Sequence, residues 1–149
     1  MSQTELLKKL REETGLSYSE CFKALTQAKG DLTQAKGLLK EWGVNFAEKK
    51  SEREAHEGRV FTYVHHNRKI GSMVEVMCET DFVAKNEEFM TLGADIAMQI
   101  ASTAPQSRDE LMKSEFIKDT STTIENHIKQ FIFKLGENIT IGRFERFAL

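Results

Sequence analysis

Cysteine is scarce in this chain: Cys21 and Cys78 are the only two in 149 residues. Two thiols so far apart fit no disulfide framework and point to a reducing compartment, by default the cytoplasm. No apolar run approaches the roughly 20 residues of a membrane span. Met1–Leu10 carries a charged, periodic pattern where a signal peptide would have an apolar block, so the chain is expected to be neither secreted nor anchored. An excess of either charge is also missing. Twenty-one Lys and Arg against 23 Asp and Glu leave a net charge of −2, which removes the long-range field of a phosphate-tracking protein and argues against direct nucleic-acid binding. Proline occurs once, at Pro105, and 40% hydrophobic with 30% charged residues is an ordinary globular composition. The length suits one compact domain with a small appendage and excludes two large domains.

What is present divides at about residue 43. The first 43 residues hold three short helical patterns, each closed by a glycine suited to a left-handed helix end. Leu6, Leu7 and Leu10 form the first apolar stripe, ending at Thr14-Gly15. Ser17 and Glu20 have the spacing of a capping box. Tyr18, Cys21, Phe22, Leu25 and Ala28 then recur at helical spacing up to Gly30. Asp31 reads as the N-cap of the third helix, whose stripe is Leu32, Ala35, Leu38, Leu39 and Trp42, with Gly43 as its stop. A bundle of this size is at the lower limit for an unassisted core.

Residues 44–57 are strongly charged and read as a solvated, partly helical linker. From Gly58 the period changes to two, and Val60–His65 and Ile70–Cys78 alternate as the strands of a β-hairpin with a polar turn at His66–Lys69. Phe89, Leu92, Ile96 and Ile100 predict a helix that ends at Ala104-Pro105. A short helix over Asp109–Lys113 and a longer one over Thr120–Leu135 follow. Asn138–Phe147 suits a third strand with a bulge near Gly142. The expected fold class is α+β: a three-helix module, then a three-stranded antiparallel sheet covered by helices over residues 58–149.

Catalytic and metal chemistry find no support. His56, His65, His66 and His127 have no His or Cys at metal-ligand spacing, and His65 and His66 should point to opposite sides of a strand. Cys21 and Cys78 lie on apolar faces and read as small core residues. Phosphate-binding glycine loops and nucleophile elbows are absent, so neither an enzyme nor a cofactor is expected. One stretch exceeds structural need, Glu79-Thr-Asp-Phe-Val-Ala-Lys-Asn86. Thr80 or Asp81 could cap a helix and Phe82 could anchor a core. Side by side at an exposed strand-to-helix turn, Asp81 and Phe82 could instead form a tip that inserts an aromatic ring and opposes phosphate or a metal shell.

That octapeptide resembles the signature of bacterial elongation factor Ts, the guanine-nucleotide exchange factor for elongation factor Tu. Arg11-Glu-Glu-Thr-Gly15, Cys21, Lys23-Ala-Leu25 and Gly30-Asp31 resemble the family's amino-terminal module. Lys49-Lys50, Arg53-Glu-Ala55 and Glu57-Gly58 resemble its linker, and Lys134-Leu-Gly-Glu-Asn-Ile139 with Arg143-Phe144 its closing helix-to-strand motif. The resemblance implies a ubiquitin-associated-like fold for residues 1–43 and the family's core domain for the remainder. It also implies that Thr80, Asp81, Phe82, Val83 and Asn86 dock beside the partner's nucleotide and magnesium, and that Gly15, Tyr18 and Lys23 lie on the module's partner-facing surface.

The sequence departs from the family at three places, the third the most serious because relatives carry a substantial helical insertion there and longer ones a second core subdomain and a coiled coil. Tyr18-Ser19 stands where relatives often have two bulky apolar residues, Phe22 where they usually have lysine, and the stretch from Pro105 to Glu115 is short. The resemblance therefore leaves three expectations open: exchange on elongation factor Tu, with a homodimer through the exposed sheet conceivable; a shortened paralogue that binds without exchange; and a module that binds a ubiquitin-like or ribosome-associated protein around Thr14-Gly15-Leu16.

Overall fold

A computed structural model describes all of residues 1–149. Three helices open the chain: α1 (Gln3–Thr14), α2 (Tyr18–Gln27) and α3 (Leu32–Lys50). The α1 start is a complete capping box in which Ser2 and Glu5 exchange side-chain and backbone hydrogen bonds. At α2 only the serine half forms, with Glu20 N–H donating to Ser17 Oγ at 3.2 Å. Gly15 takes the left-handed conformation expected of a helix end, and Asp31 caps α3 by accepting from Gln34 N–H. Leu7, Leu10, Cys21, Ala24, Leu25, Ala28, Ala35 and Leu39 form a small core of their own.

Three expectations for this region need correction. Tyr18 and Phe22, read as part of the buried stripe of α2, are exposed, at 56% and 42%. The third helix does not stop at Gly43. It runs about two turns further to Lys50, because Ala47 and Phe46 have a core to pack against. The first half of the charged stretch is therefore helical, as expected, but packs on the large core through Phe46 and Ala47 while Asn45, Glu48 and Lys49 stay exposed. Gly43 is buried beside the Gln130 amide of a neighbouring helix, where a Cβ would lie 2.9 Å from Oε1 and the side-chain end would have to shift.

The second core is built on a sheet of β1 (Glu57–Val64), β2 (Ile70–Cys78) and β5 (Thr140–Ala148), antiparallel throughout with β2 central. Phe61, Val74, Val76, Cys78 and Ile141 point to one face. Against them packs α5 (Glu87–Thr103), which buries Phe89, Leu92, Ile96, Ala97 and Ile100. Any side chain at Gly93 would enter the Phe61 ring, so glycine sets the closeness of α5 to β1. The bulge near Gly142 is present as a register shift opposite Val74 and Val76. Glu75 fills it, its carboxylate accepting Arg143 N–H at 2.7 Å and pairing with the Arg143 guanidinium. These bonds hold the Glu75 carboxyl down at about 2. The other sheet face is left open, with Val60, Val64, Met73 and Phe147 exposed on it.

Between α5 and β5 the chain forms α6 (Arg108–Lys113), a two-stranded hairpin β3–β4 (Glu115–Phe116 and Asp119–Thr123) and α7 (Ile124–Leu135). The stretch from Pro105 to Glu115 is a closed connection, capped by Ser107 and anchored by buried Leu111. The hairpin occupies what reads in sequence as the first turn of a helix from Thr120. Its consecutive Ser and Thr residues favour extended backbone, and Thr123 becomes the N-cap of α7. Buried Gln99 fastens the hairpin to α5 by donating to Ser114 Oγ and Glu115 O and accepting from Ile117 N–H. Asp95 adds bonds to Lys118 and His127, and the His127 ring stacks on Phe116. Burial opposes ionisation of Asp95, but these hydrogen bonds prevail and hold its carboxyl below the usual range.

Helices α3 and α7 join the two cores. Phe46 packs on Phe133, with ring centroids 5.5 Å apart, and Gln130 donates to Lys40 O. Phe133, although in α7, also packs against the small helical core.

Candidate functional site

Thr80–Asn86 forms a tight turn between β2 and α5. Thr80 caps the single-turn helix α4 (Asp81–Ala84), and Asn86 caps α5 by accepting from Glu88 N–H at 2.7 Å. The two caps fix where the chain leaves the sheet and where it enters α5, and of the residues between them Asp81 and Phe82 project outward. Phe82 is 84% exposed, and no other aromatic side chain is more so. Asp81 beside it is exposed and lies 3.6 Å from Lys85, a loose pair of little energetic weight. Val83 turns inward against the large core and Ala84 is buried.

Of the residues singled out by sequence, Asp81 and Phe82 are thus exposed to solvent, while Thr80, Val83 and Asn86 build the turn that carries them. The alternative in which Phe82 anchors the core does not occur. Cys78 at the end of β2 is buried and donates to Thr80 O, and burial first, then the Glu137 charge, pushes its thiol up to about 11. It remains a protonated core residue at neutral pH.

The base of the turn is held by residues that the sequence reading did not connect with it. Glu137 Oε1 accepts from Glu79 N–H and Thr80 N–H, both at 3.0 Å, and Glu137 Oε2 accepts from Thr80 Oγ1 at 2.6 Å. Glu79 Oε1 pairs with Arg53 Nε at 2.7 Å, and its Oε2 accepts from Asn138 N–H at 2.7 Å. Asn138 Nδ2 closes the ring by donating to Arg53 O at 2.7 Å. Burial raises the affinity of Glu79 for a proton, but the bonds from Asn138 and Arg53 outweigh it and leave the carboxyl below its ordinary value. At the far end of the turn Arg59 Nε donates to Ala84 O. The signal for these partners was the Lys134–Ile139 motif, but nothing in a linear pattern says that it meets a turn almost 60 residues earlier.

On the helical module, Tyr18 and Phe22 stack face to face, with centroids 5.9 Å apart and planes within 8°, and the Arg11 guanidinium lies over Tyr18. Lys23 is exposed on the same helix. Gly15 lies against Lys134, which pairs with Glu88 in the first turn of α5. The α1–α2 turn therefore sits beside the element that follows the tip.

His65 and His66 do not diverge as a strand pair would. Both lie past the end of β1, where alternation no longer applies, and their ring centroids are 4.1 Å apart. No cluster of three or more His, Cys, Asp or Glu side chains is placed to hold a metal ion. No helix is long and apolar enough to cross a membrane.

A family model described as elongation factor TS matches residues 79–149, beginning at Glu79. Over 149 residues the chain is 43% identical to an elongation factor Ts of Clostridium kluyveri and 42% identical to one of Clostridium tetani. In both cases the match takes in 100% of this chain and 49% of the relative. An elongation factor Ts of a Nostoc species is 43% identical over 145 residues, 97% of this chain and 46% of the relative. The chain spans about half the length of the curated relatives it matches. The alignments run from the helical module through the tip to the closing strand, so the chain is similar to elongation factor Ts proteins along its whole length.

Proposed function

We propose that the chain binds elongation factor Tu in its GDP-bound and nucleotide-free forms and promotes GDP release. The single observation that carries this reading is the presentation of Phe82, an apolar ring held in water on a turn anchored at both ends. An exposed phenylalanine of this kind gains free energy only when a partner covers it. Asp81 beside it brings negative charge to the same point. In a nucleotide site, such a charge opposes phosphate and competes for the magnesium shell, while Phe82 occupies an apolar pocket. No bond is made or broken, so the action is displacement and not catalysis of a chemical reaction. The module's Tyr18–Phe22 stack, with Gly15 and Lys23, supplies a second contact area on the partner.

The thermodynamics are those of linkage. If the chain weakens GDP binding by a given factor, GDP must weaken binding of the chain by the same factor. Each tenfold of coupling corresponds to about 1.4 kcal/mol. Titration calorimetry against nucleotide-free and GDP-bound elongation factor Tu should show tighter binding to the nucleotide-free form. The preference should be lost in the Asp81→Ala/Phe82→Ala double variant. Equal affinity for both forms would leave the exchange reading without a driving force.

Because the chain spans about half the length of its relatives, a binding-only role is the second reading, identified by measurable complex formation without faster GDP release. We assign self-association, if it occurs, to the open sheet face bearing Val60, Val64, Met73 and Phe147. Sedimentation equilibrium of wild type and Met73→Lys tests that assignment, with a monomer at all concentrations as the contrary result.

A further inference from the structure

We infer that Glu137 is a positioning residue for the tip: through it, the Gly136-Glu137-Asn138 corner sets the direction in which Asp81 and Phe82 project. The inference rests on the exchange reading for its functional half and on geometry alone for its structural half.

Glu137 does not touch the surface that Phe82 presents. Its side chain is half-buried under the turn, and all three of its hydrogen bonds go to the two residues before Asp81. Two backbone amides, those of Glu79 and Thr80, converge on Oε1. Both lie at the end of β2, where the antiparallel pairing with β1 ends at Cys78, so neither has a strand partner beyond that point. Left unpaired in a partly buried corner, each amide would carry a desolvation penalty. The Thr80 hydroxyl donates to Oε2 while accepting from Val83 N–H, so its orientation is fixed from both sides. That hydroxyl is the cap of α4. Glu137 therefore sets the cap, the cap sets the helical turn, and the turn sets the direction of Phe82.

Asn138 and Arg53 extend this support. Arg53, just past α3, is bonded through its side chain to Glu79 and through its carbonyl to Asn138. The end of the helix that links the two cores is thus tied to the base of the tip, and the tip and the helical module share one mount. A purely structural role for Glu137 would show as lost stability with the tip unaffected, and a contact role would require exposure to the partner. A carboxylate that spends its acceptors on the tip's own backbone fits positioning.

The experiment compares wild type, Glu137→Ala and Glu137→Gln as full chains, with Phe82→Ala as reference. It reads thermal midpoint, backbone amide exchange, and the maximal rate and half-saturating concentration for GDP release from elongation factor Tu. Glu137→Gln keeps an acceptor oxygen for the two amides, and the Thr80 hydroxyl can rotate to accept from the new amide group. We expect Glu137→Ala to speed amide exchange at Glu79 and Thr80 at least tenfold while α5 and α7 stay protected. It should also lower the maximal release rate at least fivefold with a smaller change in half-saturation, and Glu137→Gln should recover most of both effects. If Glu137→Ala releases GDP at the wild-type rate while Phe82→Ala is slow, the positioning role is wrong and the exchange reading stands. If wild type itself does not accelerate release, the exchange reading fails, and the amide data alone decide whether Glu137 holds the turn. Unchanged protection at Glu79 and Thr80 in Glu137→Ala overturns the inference whatever the kinetics. Should Glu137→Ala fail to fold, Glu137→Asp, whose shorter side chain cannot reach both amides and the Thr80 hydroxyl together, is read in its place: faster amide exchange at Glu79 and Thr80 with slow release supports the role, and unchanged protection there refutes it.

Discussion

Replacing Phe82 by alanine should separate binding from folding. In the free protein the ring is 84% exposed, so removing it deletes little buried area. Alanine is also the better helix former within α4. The folded state should therefore change by no more than about 0.5 kcal/mol, the range of surface substitutions away from special features. In the complex the account differs. Fully burying a phenylalanine is worth about 1.5–3 kcal/mol, and 84% of that remains to be gained on docking, which leaves about 1.3–2.5 kcal/mol. At about 1.4 kcal/mol per tenfold, affinity for nucleotide-free elongation factor Tu should fall roughly 8- to 60-fold. Titration calorimetry gives the affinity, and a thermal melt on the same samples gives the stability. Binding within twofold of wild type would refute the wedge. A fall of many degrees in melting temperature would show that Phe82 serves the fold after all.

Three further outcomes follow from packing and protonation. Gly93→Ala places a methyl group inside the buried Phe61 ring and should cost about 1–3 kcal/mol, or about 2–12 °C in Tm; an unchanged melting curve would mean that α5 can retreat from the sheet at no cost. Glu75 is held at about 2 by Arg143 against about 4.3 in an unfolded chain. A depressed carboxyl contributes stability that is complete above the unfolded value and is lost as pH falls toward the folded one, so Glu75→Gln should flatten the urea midpoint between pH about 4.5 and about 2 and leave its slope near neutrality alone. Cys78, with its thiol pushed up to about 11, should resist a disulfide reagent at pH 8 until the protein unfolds; rapid labelling of that thiol in native buffer would place it outside the core.

The parts of the fold that could be read in the sequence are those decided locally. Asp31 with Gln34, the glycine after Thr14 and the alternation of Val74, Val76 and Cys78 each specify their element within a few residues, and each forms as expected. Gly43 misleads because a glycine inside a helix costs only about 1 kcal/mol, and burial of Ala47 with packing of Phe46 outweighs it. Tyr18 and Phe22 keep helical spacing with the core residues of α2 but fall at the edge of its apolar stripe, where periodicity cannot separate a buried ring from a docking one. The β3–β4 hairpin is hidden because its stabilising contacts come from Gln99 and Asp95 on another helix. The tip itself was legible as an unusual pair of neighbours, Asp81 and Phe82. Its mount was not, because Glu137 and Asn138 meet Glu79 and Thr80 at sequence separations of 57 to 59 residues.

The central claim is that a rigidly presented Asp81–Phe82 turn expels GDP from elongation factor Tu, and stopped-flow release of a fluorescent GDP tests it most directly. Elongation factor Tu loaded with the labelled nucleotide is mixed with excess unlabelled GDP and increasing amounts of the full chain. The account predicts a release rate that rises with the chain's concentration to a plateau, and that returns toward the unassisted rate with Phe82→Ala. A release rate that is the same at every concentration, with complex formation verified in the same solution, would contradict it.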